Sequence, residues 1–234
     1  MKGNGMSGEV AATARLDAIG GPARLFLVRH GTTTMNRENR YRGRRDVALD
    51  AQGYQDAVDA ARFLSNRALT AVYTGPLRRT IATAQIIADE ARVPDVRILH
   101  GLTNLDYGVW EGMTTQEAET YDEIAFASYR RSPMDCVCPH GERLSQAQDR
   151  MIDALLLIGS RHRGESVAVV SHAVMIRLVL TRLLSLDGES WRVPLGRGSI
   201  TEFQVDGTEI HVGERLALGS PDEPVAAPTL VGAA

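Results

Sequence analysis

The sequence is almost without lysine. Lys2 is the only one among the 26 lysine and arginine residues, so the remaining basic residues are all arginine. A Schiff-base lysine and a phosphate-loop lysine are therefore excluded from the body of the chain. Any anion that this protein holds firmly must be held by arginine, histidine or backbone N–H groups. Arginine suits phosphate well, because its planar guanidinium binds two oxygens at once.

Cysteine and long hydrophobic runs are also scarce. The only cysteines are Cys136 and Cys138, and two ligands do not make a zinc site, so we expect neither a metal nor another cofactor. No apolar stretch reaches the ~20 residues that span a bilayer, and residues 1–11 lack the apolar segment of a signal peptide. These features predict a reduced, cytoplasmic protein without membrane contact. The net charge of −3 gives no general attraction to nucleic acid.

The length of 234 residues and the hydrophobic content of 44% fit one domain with tails. Residues 1–22 are rich in Gly and Ala without a clear period, which predicts a flexible N-terminal tail. A second flexible tail is expected over residues 218–234. The domain then covers residues 23–217, and its irregular region 101–141 is expected to hold one or two helices that cap a site.

Short apolar runs alternate with segments of helical periodicity along this domain. Strands are predicted at residues 25–28, 71–73, 96–99 and 167–170, and helices at residues 52–66, 76–91, 144–158 and 174–184. Residues 200–205 and 209–212, joined at Asp206-Gly207, are typical of a hairpin. The alternation indicates an α/β fold, a three-layer α/β/α sandwich with a mainly parallel central sheet and a small cap insertion.

Two histidines follow two of the buried strands in the same way. Arg29-His30-Gly31 comes directly after residues 25–28, and Ser171-His172 comes after residues 167–170. Because the carboxyl ends of parallel strands meet at one edge of a sheet, we expect both imidazoles at that edge. Arg79 lies near the predicted start of a helix that follows another strand, on the same side. Guanidinium groups beside an imidazole are suited to gripping and attacking a phosphoryl group.

Further motifs occur in a fixed order around these residues. They are Leu27-Val28-Arg29-His30-Gly31-Thr32-Thr33 with Asn36, then Gly43, Asp46 and Leu49; Gly53 with Gln55-Asp56-Ala57; Leu77-x-Arg79-x-x-x-Thr83-Ala84; Tyr107-Gly108-Val109-Trp110-Glu111-Gly112; Gly141-Glu142; and Val170-Ser171-His172. In these motifs the chain resembles the histidine phosphatase superfamily, also called the phosphoglycerate mutase-like family. The resemblance extends from about residue 24 to about residue 205, which is most of the chain.

The resemblance implies a role for each matching residue. His30 would be the nucleophile that becomes phosphorylated, attacking as a neutral imidazole whose other nitrogen donates to a backbone carbonyl. The phosphate pocket would be lined by Arg29, Arg79 and a cationic His172, with Thr33 and Asn36 as polar neighbours. No metal would be required, because the cationic side chains stabilise the charge of the transferring group.

The chain departs from the family at one position that matters for proton transfer. The family usually carries Leu-x-Glu where this chain has Leu102-Thr103-Asn104, and that glutamate protonates the leaving oxygen. An amide cannot donate and recover a proton near neutral pH. Three accounts stay open: Asp106, or secondarily Glu111, substitutes as the acid; the substrate has a leaving group that needs little protonation; or the protein binds phosphate compounds and turns them over poorly. Asn104 itself is expected to contact the substrate.

The loop after His30 contains a cluster of arginines, namely Arg37, Arg40, Arg42, Arg44 and Arg45. One interpretation is a solvated loop paired with Glu38 and Asp46. In the other, Arg42 or Arg44 binds a second anionic group of the substrate. Both interpretations stay open, and Arg42 is the residue assigned to substrate binding.

These observations predict a cytoplasmic, metal-independent phosphatase that hydrolyses a small phosphorylated metabolite through a phosphohistidine. A phosphoglycerate-type mutase is the first alternative, and it is disfavoured because only a short stretch separates Ala91 from Asn104. A non-catalytic phosphate-binding module is the second, because of Asn104. The sequence identifies neither the substrate nor the oligomeric state. A homodimer is one option for the latter.

Overall fold

The computed structural model describes residues 20–216, and most of the secondary structure in this range surrounds one six-stranded sheet. The strands are β1 (Ala23–Arg29), β2 (Leu69–Thr74), β3 (Val96–Ile98), β4 (Ser166–Ser171), β5 (Ile200–Asp206) and β6 (Glu209–Leu216). Their order across the sheet is β3-β2-β4-β1-β5-β6. The first four in that order are parallel, and β5 and β6 run antiparallel to their neighbours.

Helices connect the strands and cover the sheet. They are α1 (Thr34–Arg37), α2 (Ala51–Leu64), α3 (Arg78–Ala91), α4 (Thr115–Tyr121), α5 (Glu123–Arg131), α6 (Leu144–Arg161) and α7 (Ala173–Leu183). Short 3₁₀ turns lie at His100–Leu102, Gly108–Trp110, Pro133–Asp135 and Gly188–Trp191. Among the described helices, none has both the length and the apolar character needed to cross a membrane.

The alternation of side chains along β1 builds two hydrophobic layers. Phe26 and Val28 are buried in one core, which also contains residues of α2 and α3. Leu25 and Leu27 are buried in the other core, with residues of α6 and α7. Because successive side chains of a strand point to opposite faces, a fully apolar strand requires a helical layer on each face. The predicted three-layer α/β/α sandwich is therefore confirmed, and so is the hairpin of β5 and β6.

One helix begins later than predicted. Residue 76 is a proline, which favours the first position of a helix, but α3 begins at Arg78 and Leu77 is its N-cap. The side chain of Asp46 accepts a hydrogen bond from the Arg78 backbone N–H at 2.7 Å. The carboxylate of Asp46, in the loop before α2, thus caps α3 at Arg78, and Pro76 lies outside the helix.

Residues 101–141 pack into a cap with an aromatic core of its own. Trp110 stacks edge-to-face against Phe126 and Tyr129, with ring centroids 6.0 Å and 5.7 Å away. Tyr129 also contacts Trp191 at 5.3 Å, which ties the cap to the segment after α7. The predicted tails lie almost entirely outside the described residues. Of residues 1–22 only 20–22 are described, and residues 218–234 are not.

Candidate active site

His30 and His172 lie side by side at the carboxyl ends of β1 and β4. These strands are adjacent and parallel, and Arg29 is in register with Ser171. The backbone N–H of His30 donates to the carbonyl of Ser171 at 3.1 Å, which extends the ladder by one residue. As a result, the two imidazole centroids are 5.2 Å apart, and both side chains are buried. Two neighbouring parallel strands that end in register therefore bring the two rings together.

The protonation state of His30 follows from its hydrogen bond. Nδ1 lies 2.6 Å from the carbonyl oxygen of Gly31. A carbonyl oxygen can only accept, so Nδ1 carries the proton and Nε2 has a lone pair. Gly31 is required here because a Cβ atom at this position would collide with the carbonyl of Gly53 at the start of α2. This close approach places the loop after β1 directly on the first turn of α2.

His172 has no such partner. It is the N-cap residue of α7, and both of its ring nitrogens are buried without a hydrogen-bond partner among residues 20–216. Burial of a polar group without a hydrogen bond costs free energy unless a ligand supplies the bond. The His172 ring is thus available to a ligand that can accept or donate at either nitrogen.

Several arginines surround the two rings. Burial, followed by the charges of Arg79, Arg42 and Arg29, holds the pKa of His30 well below its usual range. Burial and the charge of Arg79 likewise hold the pKa of His172 well below its usual range. Both rings are therefore neutral at physiological pH in the unliganded protein. A low-dielectric site next to guanidinium groups disfavours a further positive charge as long as no anion is bound.

The two lowered pKa values predict how stability depends on pH. Unfolded histidine titrates near pH ~6.5, and the folded rings titrate below it, so the unfolded state binds more protons between the two values. The free energy of unfolding should fall as pH falls through about 6.5 and onward to the folded pKa values, by up to ~1.4 kcal/mol per pH unit for each ring. Urea unfolding at a series of pH values measures this slope.

A variant with both His30→Asn and His172→Asn should lose most of the slope that these two rings contribute. His211→Ala, which removes an exposed histidine on β6, should retain it. An unchanged slope in the double variant would contradict the assignment of neutral rings.

Arg79 is the cation with the largest effect on both rings. It is the second residue of α3 and has no solvent exposure. Its Nη1 and Nη2 donate to the carbonyl oxygens of Arg45 and Gly43, both at 2.8 Å. Burial and the nearby charge of Arg42 lower the pKa of Arg79 to about 9, so it stays charged at neutral pH. Its burial excludes a surface position with an ion pair to Asp89 or Glu90 of the same helix. We call His30, His172, Arg29, Arg42 and Arg79 the arginine–histidine cluster.

A cavity of about 160 Å³ opens onto this cluster. Its lining includes Arg29, His30, Asn36, Arg42, Asn104 and His172. Arginine, asparagine, tyrosine and histidine dominate the wall, and no Asp or Glu is among the described residues that line it. Such a wall donates hydrogen bonds and positive charge but has no carboxylate, which suits an anionic ligand.

The family model of the histidine phosphatase superfamily, branch 1, matches residues 25–215 of this chain. The chain belongs to this superfamily. As a member, it is a phosphoric monoester hydrolase of the histidine phosphatase type. Within residues 20–216, no group of three His, Cys, Asp or Glu side chains is placed to hold a metal ion.

Relatives and solved structures agree with the family model. The histidine phosphatase is 35% identical over 162 residues to "Phosphoglycerate mutase-like protein 4" of Arabidopsis thaliana, covering 68% of this chain and 70% of that one. It is 34% identical over 165 residues to "Phosphoserine phosphatase 1" of Hydrogenobacter thermophilus, covering 70% and 77%. The structure called "Bacillus stearothermophilus YhfR" aligns with a TM-score of 0.77 and 31% identity, covering 84% of this chain and 98% of that one.

Some relatives are much longer than this chain. It is 35% identical over 205 residues to "Bifunctional protein Rv2228c" of Mycobacterium tuberculosis, which covers 81% of this chain and 53% of that protein. The histidine phosphatase thus spans about half of the length of such relatives.

The histidine phosphatase holds Asn36 in the cavity wall through Thr33. The hydroxyl and the backbone N–H of Thr33 donate to Oδ1 of Asn36 at 2.8 Å and 3.0 Å. Because Oδ1 is fixed in this way, the Nδ2 amide of Asn36 is left as a donor for the cavity. Thr33 itself is fully buried and does not line the cavity, so it positions Asn36 rather than contacting a ligand.

Asn104 is placed in the wall by the loop that also holds Arg79. Its Nδ2 donates to the Gly43 carbonyl at 3.0 Å, and the same carbonyl accepts from Arg79. Oδ1 of Asn104 is buried and has no hydrogen-bond partner among the described residues. The amide orientation is fixed because only Nδ2 can donate to a carbonyl. An unpartnered amide oxygen therefore lies at the cavity wall close to the arginine–histidine cluster.

Asp106 does not take the place that the sequence predicts for it. Alternation in an extended chain would put it on the same side as Asn104, but the chain turns at Gly108, which starts a 3₁₀ turn. Oδ1 of Asp106 accepts the Gly108 N–H at 2.9 Å, and Oδ2 lies 3.2 Å from Arg44. Asp106 is held by this turn and by Arg44 and does not line the cavity, so the geometry disfavours it as the acid that the sequence predicts.

Glu111 is also engaged elsewhere. Its Oε1 accepts the backbone N–H of Arg44 at 2.6 Å. Gly43 lies directly against it at a positive φ of 49°, where a Cβ atom would collide with the Glu111 side chain. Glu111 thus shapes the turn of the arginine-rich loop, and it does not line the cavity.

The arginines of the arginine-rich loop form two groups, one that lines the cavity and one that is paired with carboxylates away from it. Arg42 and Arg40 line the cavity, and Arg40 is also paired with Glu38 and Glu117 at 3.0 Å. Arg37 pairs with Asp50 at 2.6 Å, and Arg44 pairs with Asp106 and Glu142. The solvated-loop interpretation therefore describes part of the loop. Arg42 lies in the cluster beside the two histidines, where its charge lowers their pKa values.

The outer part of the cavity contains residues that the sequence analysis missed. They are Tyr41, Tyr107, Tyr129, Arg177 and Arg192. Arg177 was detectable, because Ala173, Val174 and Arg177 share one face of α7 by helical spacing and all three line the cavity. Tyr107 and Tyr129 come from the cap, Arg192 comes from the segment after α7, and Tyr41 lies in the arginine-rich loop. No local spacing relates them to His30.

The tyrosines keep their protons. Burial, followed by the neighbouring Tyr129, raises the pKa of Tyr41, and burial also raises the pKa of Tyr107 and of Tyr129. The hydroxyls of Tyr107 and Tyr129 are hydrogen-bonded to each other at 2.9 Å. These groups are hydrogen-bond donors or acceptors for a ligand, and they are poor acids.

Proposed function

We propose that this histidine phosphatase hydrolyses a small phosphorylated compound by double displacement, with His30 as the nucleophile. The observation that carries the proposal is the His30 imidazole, held neutral with its Nε2 lone pair available, 5.2 Å from the ring centroid of a second histidine without partners. Covalent catalysis of this kind divides one difficult displacement into two easier ones.

In the first step, Nε2 of His30 bonds to phosphorus while the bond from phosphorus to the leaving oxygen breaks. Negative charge on the three equatorial oxygens is stabilised by Arg29, Arg42 and Arg79, with the Asn36 amide as a further donor. His172 takes up a hydrogen bond with the same group. A bound dianion favours protonation of His172, because an opposite charge raises the pKa of an imidazole.

In the second step, water bonds to phosphorus and the bond to Nε2 breaks, so that His30 regains its lone pair. Both protons of the water stay on the product as dihydrogen phosphate, which then releases one to solvent. The proton stays on Nδ1 throughout and is donated in a hydrogen bond to the Gly31 carbonyl, so His30 begins and ends the cycle in the same tautomer.

A mutase and a binding module are the alternatives. A mutase uses the same intermediate and must shield it from water, whereas the cavity here has a polar wall of arginine and tyrosine. A module would bind phosphate in the arginine–histidine cluster without forming a covalent bond.

One experiment separates the three. The protein is incubated with 4-nitrophenyl phosphate, with and without EDTA, and the quenched protein is assayed for acid-labile phosphate on His30. Turnover that EDTA does not change, together with label, supports the phosphatase. Label that persists until a glycerate or sugar acceptor is added supports the mutase. Tight phosphate binding with neither turnover nor label supports the module.

We also propose that the substrate has a second anionic group, which binds at Arg177 and Arg192. We call these two residues the outer arginines. Arg192 lies close enough to Tyr41 to lower its pKa, and Arg177 acts in the same way on Tyr107 and Tyr129. The outer arginines and the arginine–histidine cluster line the same cavity, and two groups of arginines suit a compact compound with two anionic groups.

Arg192→Met should weaken binding of doubly anionic compounds selectively. For 3-carboxyphenyl and 4-carboxyphenyl phosphate, KM should rise about 10-fold to 100-fold, as expected for the loss of one charged hydrogen bond. For phenyl phosphate, KM should change less than about 3-fold by the same reasoning. Arg182→Met, at a surface arginine paired with Asp149, is the matched control. An equal rise in KM for all three compounds would contradict the second binding site.

A further inference from the structure

We infer that this chain acts on phosphoryl compounds whose leaving group departs without a proton, such as acyl, enol and aryl phosphates or phosphoanhydrides, and acts poorly on alkyl phosphate monoesters. The inference rests on the proposed function and narrows its substrate class. It starts from the cavity wall, which has no carboxylate among the described residues and is lined in part by Asn104, whose buried Oδ1 has no hydrogen-bond partner there.

Asp106 and Glu142, which follow Asn104 in the cap and before α6, are committed to structural contacts. Asp106 caps the turn at Gly108 and pairs with Arg44. Glu142 accepts from Arg150 at 2.8 Å and 3.0 Å, and from the backbone N–H of Asp106 at 3.3 Å. Burial alone would raise the pKa of Glu142, but these hydrogen bonds lower it on balance, so it stays ionised and has no proton to give.

The other groups of the wall are also poor proton donors. The raised pKa values of Tyr41, Tyr107 and Tyr129 keep their protons in place. The lowered pKa of His172 leaves it neutral in the unliganded protein, and once a bound phosphoryl group favours its protonation, its N–H donates to an equatorial oxygen of that group and not to the leaving oxygen. Oδ1 of Asn104 can only accept, and its Nδ2 donates to Gly43 without being able to transfer a proton.

The electron balance of the first step then limits the substrate. The bond from His30 Nε2 to phosphorus forms, and the leaving oxygen keeps the electron pair of the broken bond. Without a proton donor it departs as an anion, which is favourable for a carboxylate, an enolate, a phenolate or a phosphate. An alkoxide is a far stronger base. General acid assistance at such an oxygen is typically worth about 10²-fold to 10⁴-fold in rate. This site has no group to give that assistance, so alkyl monoesters should react slowly.

Position 104 allows a test with four side chains that vary acidity and length independently. The side chains of the native Asn and of Asn104→Asp have the same shape. The side chains of Asn104→Gln and Asn104→Glu also share one shape, which is longer by one methylene group. Each protein is assayed for kcat/KM with 4-nitrophenyl phosphate, with phenyl phosphate and with the alkyl ester phosphoserine.

The native protein should show a steep decline of kcat/KM from nitrophenyl to phenyl to alkyl. At least one of the two acids should raise the ratio of kcat/KM for phosphoserine to kcat/KM for 4-nitrophenyl phosphate by about 10²-fold to 10⁴-fold. Asn104→Gln should give no gain for the alkyl ester. Binding of orthovanadate reports whether each variant keeps its site.

The inference is overturned if the native protein hydrolyses phosphoserine and 4-nitrophenyl phosphate with similar kcat/KM, which would mean that another group, such as an anion-bound His172, supplies the proton. It is also overturned if both acids bind orthovanadate and neither accelerates the alkyl ester. The comparison of native rates needs no variant, so misfolding of a variant does not remove the test. Failure of the proposed function is distinct, because His30 would then take up no label from any donor.

Discussion

Replacing His30 with asparagine is expected to abolish turnover of 4-nitrophenyl phosphate, with kcat lower by at least about 10⁴-fold, the scale seen when a covalent nucleophile is removed. Asparagine retains an N–H near the position of Nδ1, so it can keep the hydrogen bond to the Gly31 carbonyl. It has no group at the position of Nε2. The variant therefore removes the lone pair and preserves the local packing. Steady-state kinetics measures the loss.

Two controls accompany this prediction. His100→Ala removes an exposed histidine that is not part of the described cavity wall, and its activity should stay close to native. Orthovanadate binding by His30→Asn should persist, since Arg29, Arg42 and Arg79 are unchanged. If kcat of His30→Asn stays within about 10-fold of native, far short of the loss of a covalent nucleophile, the nucleophile has been assigned to the wrong residue.

Arg79→Met is expected to give the next largest loss, with kcat/KM lower by about 10²-fold to 10³-fold. This is the scale for removing one preorganised group that stabilises developing charge. Arg79 is fully buried and has the largest charge effect on both rings. Its removal also takes one hydrogen-bond donor from each of the carbonyls of Gly43 and Arg45, so the free energy of unfolding should fall as well.

The pH profile separates the electrostatic role of Arg79 from a structural one. Without the Arg79 charge, the pKa values of His30 and His172 rise, so the acid limb of kcat/KM should move to higher pH in Arg79→Met. Arg79→Lys keeps the charge and loses the planar guanidinium, so its acid limb should stay near that of the native protein. Equal positions of the acid limb in native, Lys and Met proteins would show that Arg79 only holds the loop.

The central pair of the site was predictable from the sequence. Two short apolar runs, each followed by a histidine, indicate two buried parallel strands, and such strands end at one edge of a sheet. The structure adds that β1 and β4 are adjacent and in register, which brings the imidazole centroids to 5.2 Å. The carbonyl acceptor that a neutral His30 requires is supplied by the next residue, Gly31.

The roles of Asp106 and of the arginine-rich loop were not predictable in the same way. The expectation for Asp106 assumed an extended chain after Asn104, and the side chain forms an Asx-type bond to Gly108 instead. Which arginine of the loop reaches the cavity depends on long-range contacts. The side chain of Arg44 is drawn to Asp106 and Glu142, whereas Arg42 lies beside the histidines. Spacing along a loop does not set such contacts.

The outer part of the cavity depends on tertiary packing even more strongly. Tyr129 is placed by stacking on Trp110 and Trp191, and Arg192 follows the 3₁₀ turn Gly188–Trp191. These residues reach one wall because the cap and the segment after α7 share an aromatic core. Helical periodicity predicts the inward face of α7, and therefore Arg177, but it does not relate the cap to β1.

The stereochemical course at phosphorus tests the double displacement most directly. A phosphoryl donor made chiral with sulfur and oxygen isotopes is turned over in isotopically labelled water, and the configuration of the product thiophosphate is determined. Two in-line displacements, the first by His30 and the second by water, predict net retention of configuration. Net inversion would show that water attacks the substrate directly and would contradict a phosphorylated His30.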